Sequence, residues 1–310
     1  MEPPLRAQLD HHAERHALLI HVGYPKTAST WLQSFLFAGE ASNIQLAAPI
    51  DEVRDNLIRP FPLWYEPNTV ARRFEERVDA LRQQGSVPVV SNELLVGHPV
   101  SGGHDSTVLA HRLHSLWPDA KILIVVRKQD AMLLSLYKEY VRNGGYLTLS
   151  QYMFPPGSDR QPTFDFRYLE YDRLVQFYTQ LFGSENVLVL AFEEFVRHRL
   201  SFCNELLSFA GADPIAHAPE EYARKSLGGW TIALRARFNR VFYGDTNNPV
   251  ARFRVPSVGS RLNKIDRLWP RALHERCNRR MQREINEAVG TRFKGSNELL
   301  KSKTGCILSE

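Results

Sequence analysis

Cysteine is scarce in this chain. Its 310 residues contain three, Cys203, Cys277 and Cys306. They are far apart and odd in number, and no CxxC or Cys/His spacing accompanies them, so neither a disulfide framework nor a zinc site is supported. A reducing compartment fits this usage. Long apolar runs are also missing, since no stretch approaches the roughly 20 residues that cross a bilayer. The segment Met1–His16 is polar, contains Pro3-Pro4, and lacks the apolar centre of a signal peptide. The expectation is a soluble, cytoplasmic protein with a flexible first 16 residues. No internal repeat or low-complexity tract is present. No basic stripe is interleaved with aromatics, which disfavours nucleic acid as a partner.

The remaining composition is that of a globular chain. It is 43% hydrophobic, enough for a large core, and its 24% charged residues are an ordinary share. A formal net charge of +5 and a sequence pI of about 9.1 favour anionic ligands. They do not select among nucleotides, acidic glycans and membrane surfaces, so peripheral membrane contact stays open.

Apolar runs alternate with helical patterns. Strands are expected at 18–22, 87–90, 121–126 and 186–190, and helices at 30–38, 68–84, 106–116, 131–142, 169–182 and 195–210, the last capped by Gly211. This alternation predicts an α/β fold with a mostly parallel central sheet flanked by helices. It also predicts that three polar clusters at strand ends, Lys26 to Thr30, Ser91 to Glu93 and Arg127, share one rim of that sheet, where such folds bind ligands. Residues 211–310 carry no convincing strand and read as a helical and loop covering segment. The whole of 1–310 therefore reads as a single domain.

The first cluster carries the most chemistry. The run Leu18–Val22 enters a turn at Gly23, followed by Tyr24-Pro25-Lys26-Thr27-Ala28-Ser29-Thr30-Trp31. A lysine, three hydroxyls and backbone N–H groups at a helix start form a phosphate cradle. The ATP-type pattern GxxxxGK[ST] is not met, because Lys26 follows Gly23 by three residues and the hydroxyls follow the lysine. A second anion site is suggested by Arg127, which ends a strand, and Ser135, eight residues on in the next helix. Arginine offers a permanently charged fork that suits phosphate.

This loop resembles the 5′-phosphosulfate loop of sulfotransferases that use 3′-phosphoadenosine 5′-phosphosulfate (PAPS), which typically reads PK[ST]GTTW. It departs at Ala28, where glycine is usual, and at Ser29. Alanine still donates its N–H where the backbone avoids positive φ, and serine keeps the hydroxyl. The arginine–serine pair resembles the family's grip on the donor's 3′-phosphate. Phe182 to Phe195 and Lys294-Gly295-Ser296-Asn297 resemble further family segments. The resemblance implies a P-loop-like sulfotransferase fold and in-line transfer of a sulfuryl group from PAPS to a hydroxyl or amine, a glycan or glycolipid among the options, with 3′,5′-ADP (PAP) as product and no metal. It implies that Lys26 stabilises the leaving phosphate, that Thr27, Ala28, Ser29 and Thr30 hold the 5′-phosphate, and that Arg127 and Ser135 hold the 3′-phosphate. Arg224-Lys225-Ser226 resembles a basic loop that closes over the 3′-phosphate. Trp31 has a counterpart that stacks on adenine, although a core aromatic at the helix start reads equally well.

Acceptor deprotonation needs a base. Glu93 resembles the family's Ser-x-Glu after the equivalent strand, and His98 in Gly97-His98-Pro99 is the second candidate. The competing readings are an N-cap or ion-paired glutamate and a surface histidine. Tyr137, Tyr140, Arg142 and Asn143 could line an acceptor cleft or, for the tyrosines, simply pack. Residues 252–294 hold 12 Lys/Arg against 4 Asp/Glu, which suits an acidic glycan or a lipid headgroup and equally a solvated helix face. Two other classes remain open: a P-loop nucleotide kinase or NTPase, and a non-catalytic anion- or glycan-binding protein.

Overall fold

A computed structural model describes residues 17–155, 162–219, 227–242, 253 and 266–308. Five strands, β1 (Leu19–His21), β2 (Ile44–Leu46), β3 (Val87–Ser91), β4 (Lys121–Val126) and β5 (Val187–Ala191), form one sheet in the order β2-β3-β1-β4-β5. Every pairing is parallel, with Leu19 opposite Val89 on one side and Lys121 on the other. The carboxyl ends of β1, β3 and β4 therefore lie side by side, and the three polar clusters share one rim as the sequence predicts.

Parallel strands need long crossovers, usually helical. The helices are α1 (Ser29–Trp31), α2 (Ile50–Val53), α3 (Pro67–Gln83), α4 (Ser106–Leu116), α5 (Gln129–Arg142) and α6 (Leu149–Met153). They continue with α7 (Tyr171–Phe182), α8 (Phe192–Arg197), α9 (Arg199–Ala210), α10 (Gly229–Phe242), α11 (Arg271–Val289) and α12 (Lys294–Thr304). Both sheet faces are covered. Ile20, Ile122, Ile124 and Val126 point into one core with residues of α3, α4, α5, α7 and α10. Leu19, Leu123 and Val125 point into a second core with Trp31 and the apolar side of α9. This period-two alternation lets short, largely apolar strands bury both of their faces.

Four strands and most helices fall where the sequence places them, α4 and β4 to the residue. Three features differ. β2 is a three-residue strand, too short for a pattern. The helix expected at 30–38 is one α-turn followed by a π-helical stretch, Leu32–Leu36. The helix expected at 195–210 is two helices broken at His198, whose ψ of 53° leaves the helical range. Gly211 caps α9 with φ 78°. In the region after Gly211, α11 packs against α5 and α10, and α12 packs against α7. No helix among the described residues is long and apolar enough to cross a membrane.

Candidate functional site

The site is built where β1 gives way to its loop. His21, the last residue of β1, is fully buried. Its Nδ1 shares a 2.8 Å hydrogen bond with Ser91 Oγ at the end of β3, and Gln33 Nε2 donates to the same hydroxyl at 3.0 Å. The imidazole lies beneath the turn, so a Cβ at Gly23 would come within 2.5 Å of His21 Nε2. Glycine is required there by close approach. Tyr24 anchors the next step, its hydroxyl donating to the Tyr168 carbonyl at 3.1 Å and its ring set edge-on to Tyr168 and Tyr171. Thr27 Oγ1 donates back to the Tyr24 carbonyl.

Two non-glycine residues of the loop are left-handed, Lys26 at φ 69° and Ala28 at φ 65°. This corrects the expectation for Ala28: its backbone takes the positive φ for which glycine is suited. Such a conformation costs an L-residue about 1–2 kcal/mol, and strain of this kind collects at functional sites. Ala28 immediately precedes α1, and its carbonyl accepts from Leu32 N at 3.0 Å. Ser29 is buried, and its Oγ has no hydrogen-bond partner. A buried hydroxyl without a partner is costly, and an oxyanion at the loop would satisfy it.

Arg127 comes to the same place. Its Nη1 donates to the Lys26 carbonyl at 3.1 Å. Its guanidinium lies 4.6 Å from the Phe192 ring centroid, and its Nε is buried without a partner. Burial lowers its pKa, while Glu193, Tyr171 and Asp130 oppose that shift; an arginine stays cationic regardless. Its own carbonyl accepts from Tyr171 Oη at 2.7 Å. The lysine of the first cluster and the arginine of the third are thus joined directly. Ser135 is half-buried on α5, two turns beyond Arg127.

Asn92 makes an Asx turn, its Oδ1 accepting from Leu94 N at 2.9 Å and its Nδ2 donating to the Ile50 carbonyl at 3.1 Å. Glu93 sits half-buried in that turn and forms no ion pair or hydrogen bond among the described residues. His98 is exposed. Its Nδ1 accepts from Val100 N at 3.2 Å, capping the turn Pro99–Ser101. With that lone pair occupied, the neutral ring carries its hydrogen on Nε2 and has no free acceptor nitrogen. Between the two candidates, Glu93 keeps its proton-accepting oxygens available.

Other expectations resolve differently. Trp31 is 3% exposed and packs on Phe35 and Phe195, with Arg199 beside it; the core-aromatic alternative describes this placement. Tyr137 and Tyr140 are buried. Tyr137 Oη donates to the Leu147 carbonyl at 3.2 Å, and Tyr140 Oη accepts from Tyr146 N at 3.3 Å, so both serve as packing. Arg224, Lys225 and Ser226 lie outside the described residues. Of the basic stretch 252–294, α11 is described, and its Arg271 and Arg279 pair with Glu275 along the helix. No group of three or more His, Cys, Asp and Glu among the described residues is arranged to hold a metal.

One neighbour of Lys26 escaped the sequence reading. Its Nζ pairs with Glu139 of α5. The signal was present, because residues 135 and 139 are four apart on one helix and share a face.

No family model matches this sequence, and no curated protein is recognisably similar to it. Solved structures of similar shape include a sulfotransferase from Alicyclobacillus acidocaldarius, 20% identical over 71% of this chain and 92% of that one, with a TM-score of 0.49. The sulfotransferase domain from the curacin biosynthetic pathway is 12% identical over 86% of this chain and 97% of its own, with a TM-score of 0.37. Mouse sulfotransferase SULT7A1 complexed with PAP is 14% identical over 89% and 90%, with a TM-score of 0.34.

Proposed function

We propose that this protein is a PAPS-dependent sulfotransferase, cytoplasmic, that sulfates a hydroxyl or amine acceptor, with a glycan or glycolipid among the candidate acceptors. The observation that carries the reading is the hydrogen bond from Arg127 Nη1 to the Lys26 carbonyl. It joins two cationic residues, and the buried Ser29 hydroxyl of the same loop and Arg127 Nε both lack partners. A nucleotide phosphorylated at both 3′ and 5′ positions would supply anions to each.

Bound there, the donor would supply a sulfuryl group already activated by its mixed anhydride with phosphate. The chain's own work is positioning and charge stabilisation, as in phosphoryl transfer. Thr27, Ser29, Thr30 and the N–H of Ala28 would hold the 5′-phosphate, and Arg127 with Ser135 the 3′-phosphate. The Lys26 ammonium would neutralise charge gathering on the leaving phosphate oxygen. Glu93 would take the acceptor's proton as the new bond to sulfur forms and the bond to the phosphate oxygen breaks.

Titration with 3′,5′-ADP, set against Mg-ATP, tests the donor, and a labelled-donor screen across acceptor classes tests turnover. Stabilisation by Mg-ATP alone would overturn the reading in favour of a nucleotide kinase or NTPase. Binding of 3′,5′-ADP without turnover on any acceptor would leave a binding protein. Lys26→Ala is expected to lower turnover by about 10²–10³-fold, and unchanged turnover would remove the role assigned to Lys26.

A further inference from the structure

The donor and base assignments leave one contact of Lys26 without a purpose, its ion pair with Glu139. Glu139 stands one turn beyond Ser135 on α5. Its Oε2 meets Lys26 Nζ, while its Oε1 accepts from Arg142 Nη2 at 2.5 Å and from Asn143 Nδ2 at 3.4 Å. Lys26 is therefore held at both ends, by its carbonyl to Arg127 and by its ammonium to α5.

We propose that Glu139 is a positioning residue for Lys26, holding the ammonium against α5 until an anionic donor competes for it and recovering it when the product leaves. The inference rests on the sulfotransferase reading, and three observations favour exchange over a permanent brace. Lys26 Nζ meets Glu139 Oε2, and a second anion brought to the ammonium would add like-charge repulsion against that carboxylate. The other carboxylate oxygen keeps Arg142 and Asn143, so release of Lys26 does not leave a bare charge. Both side chains are about three-tenths exposed, so water can solvate either partner during the exchange. Burial tends to raise the Glu139 pKa, but Lys26 and Arg142 outweigh it and the net shift is downward, which keeps the group charged at neutral pH.

On this inference donor binding works against this pair. Glu139→Gln removes the competing charge and is expected to tighten 3′,5′-ADP binding by about two- to fivefold, within the range that solvent-accessible ion pairs contribute. In a Lys26→Ala background the same substitution is expected to give no gain, since the competition acts through Lys26. Calorimetric titration of wild type, the two single variants and the double variant reads this directly, with urea unfolding reporting whether each is folded. If Glu139→Gln does not fold, Glu139→Asp, whose shorter carboxylate falls back from Lys26, is expected to tighten binding in the same direction. Unchanged or weaker binding in a folded variant would overturn the inference. So would a gain that persists without Lys26, which would mark a general charge effect. Failure of wild type to bind 3′,5′-ADP would instead overturn the donor reading, and this inference with it.

Discussion

The buried histidine beneath the loop makes the fold sensitive to mild acid. His21 has no exposed surface, and burial lowers its pKa from 6.5 to about 4. Its surroundings are the Ser91 hydroxyl, which Gln33 also contacts, the edge of Phe37 and the backbone of Gly23, and no carboxylate among the described residues favours the cation. Between pH 6.5 and about 4 the unfolded chain therefore binds a proton that the folded chain refuses, and stability falls as pH falls through this window. The full gap corresponds to about 3 kcal/mol, and by pH 5 about 2 kcal/mol of it is already lost. Carboxylates with depressed values, such as Glu52, Glu139 and Asp165, act with the same sign but only below the usual carboxylate range of about 4. The assay is urea unfolding at pH 7.5 and pH 5 for wild type and His21→Asn. The variant is less stable at both values because it loses packing, but wild type should lose about 2 kcal/mol more than the variant between the two. An equal pH dependence in the two proteins would refute the argument.

Ala28→Gly removes the Cβ that opposes φ 65° and adds some backbone freedom to the unfolded chain. The net expectation is a stabilisation of about 0.5–1 kcal/mol, read as a raised melting temperature, and a lowered one would count against the left-handed loop. For the base, Glu93→Gln should abolish turnover, whereas His98→Asn should leave most of it, because His98 Nδ1 is committed to Val100 N; pre-steady-state rates with saturating donor make the comparison. The reverse pattern would move the base to His98.

How much of this could be read from residues alone depends on the range of the interactions involved. Strands such as Lys121–Val126 announce themselves because their apolar run is buried on both faces, and α4 because its boundaries are local. β2 has three residues, and only its pairing with β3 makes it a strand. The break at His198 lies inside an apolar pattern that continues across it, so the pattern reads as one helix. The polar cluster from Lys26 to Thr30 is legible because it is contiguous. The left-handed turn at Ala28 and the commitment of His98 Nδ1 are set by backbone geometry or tertiary contacts and leave no mark in composition or spacing.

That division has a consequence for the site itself. The candidate site is assembled from residues at the ends of three hydrogen-bonded parallel strands, so its spacing follows from sheet geometry and survives as a pattern. The ties that complete it run across the chain instead: His21 to Ser91 spans 70 residues and Arg127 to Lys26 spans 101. Both connect the loop after β1 to a neighbouring strand end, one beneath the loop and the other at its lysine. A change at Ser91 would therefore be felt at Gly23 and at Glu93 together, because the same short strand end supports the floor of the loop through His21 and starts the turn that presents the candidate base. On the proposed function, β3 would link the donor loop to the candidate base, although no residue of β3 is itself assigned to either.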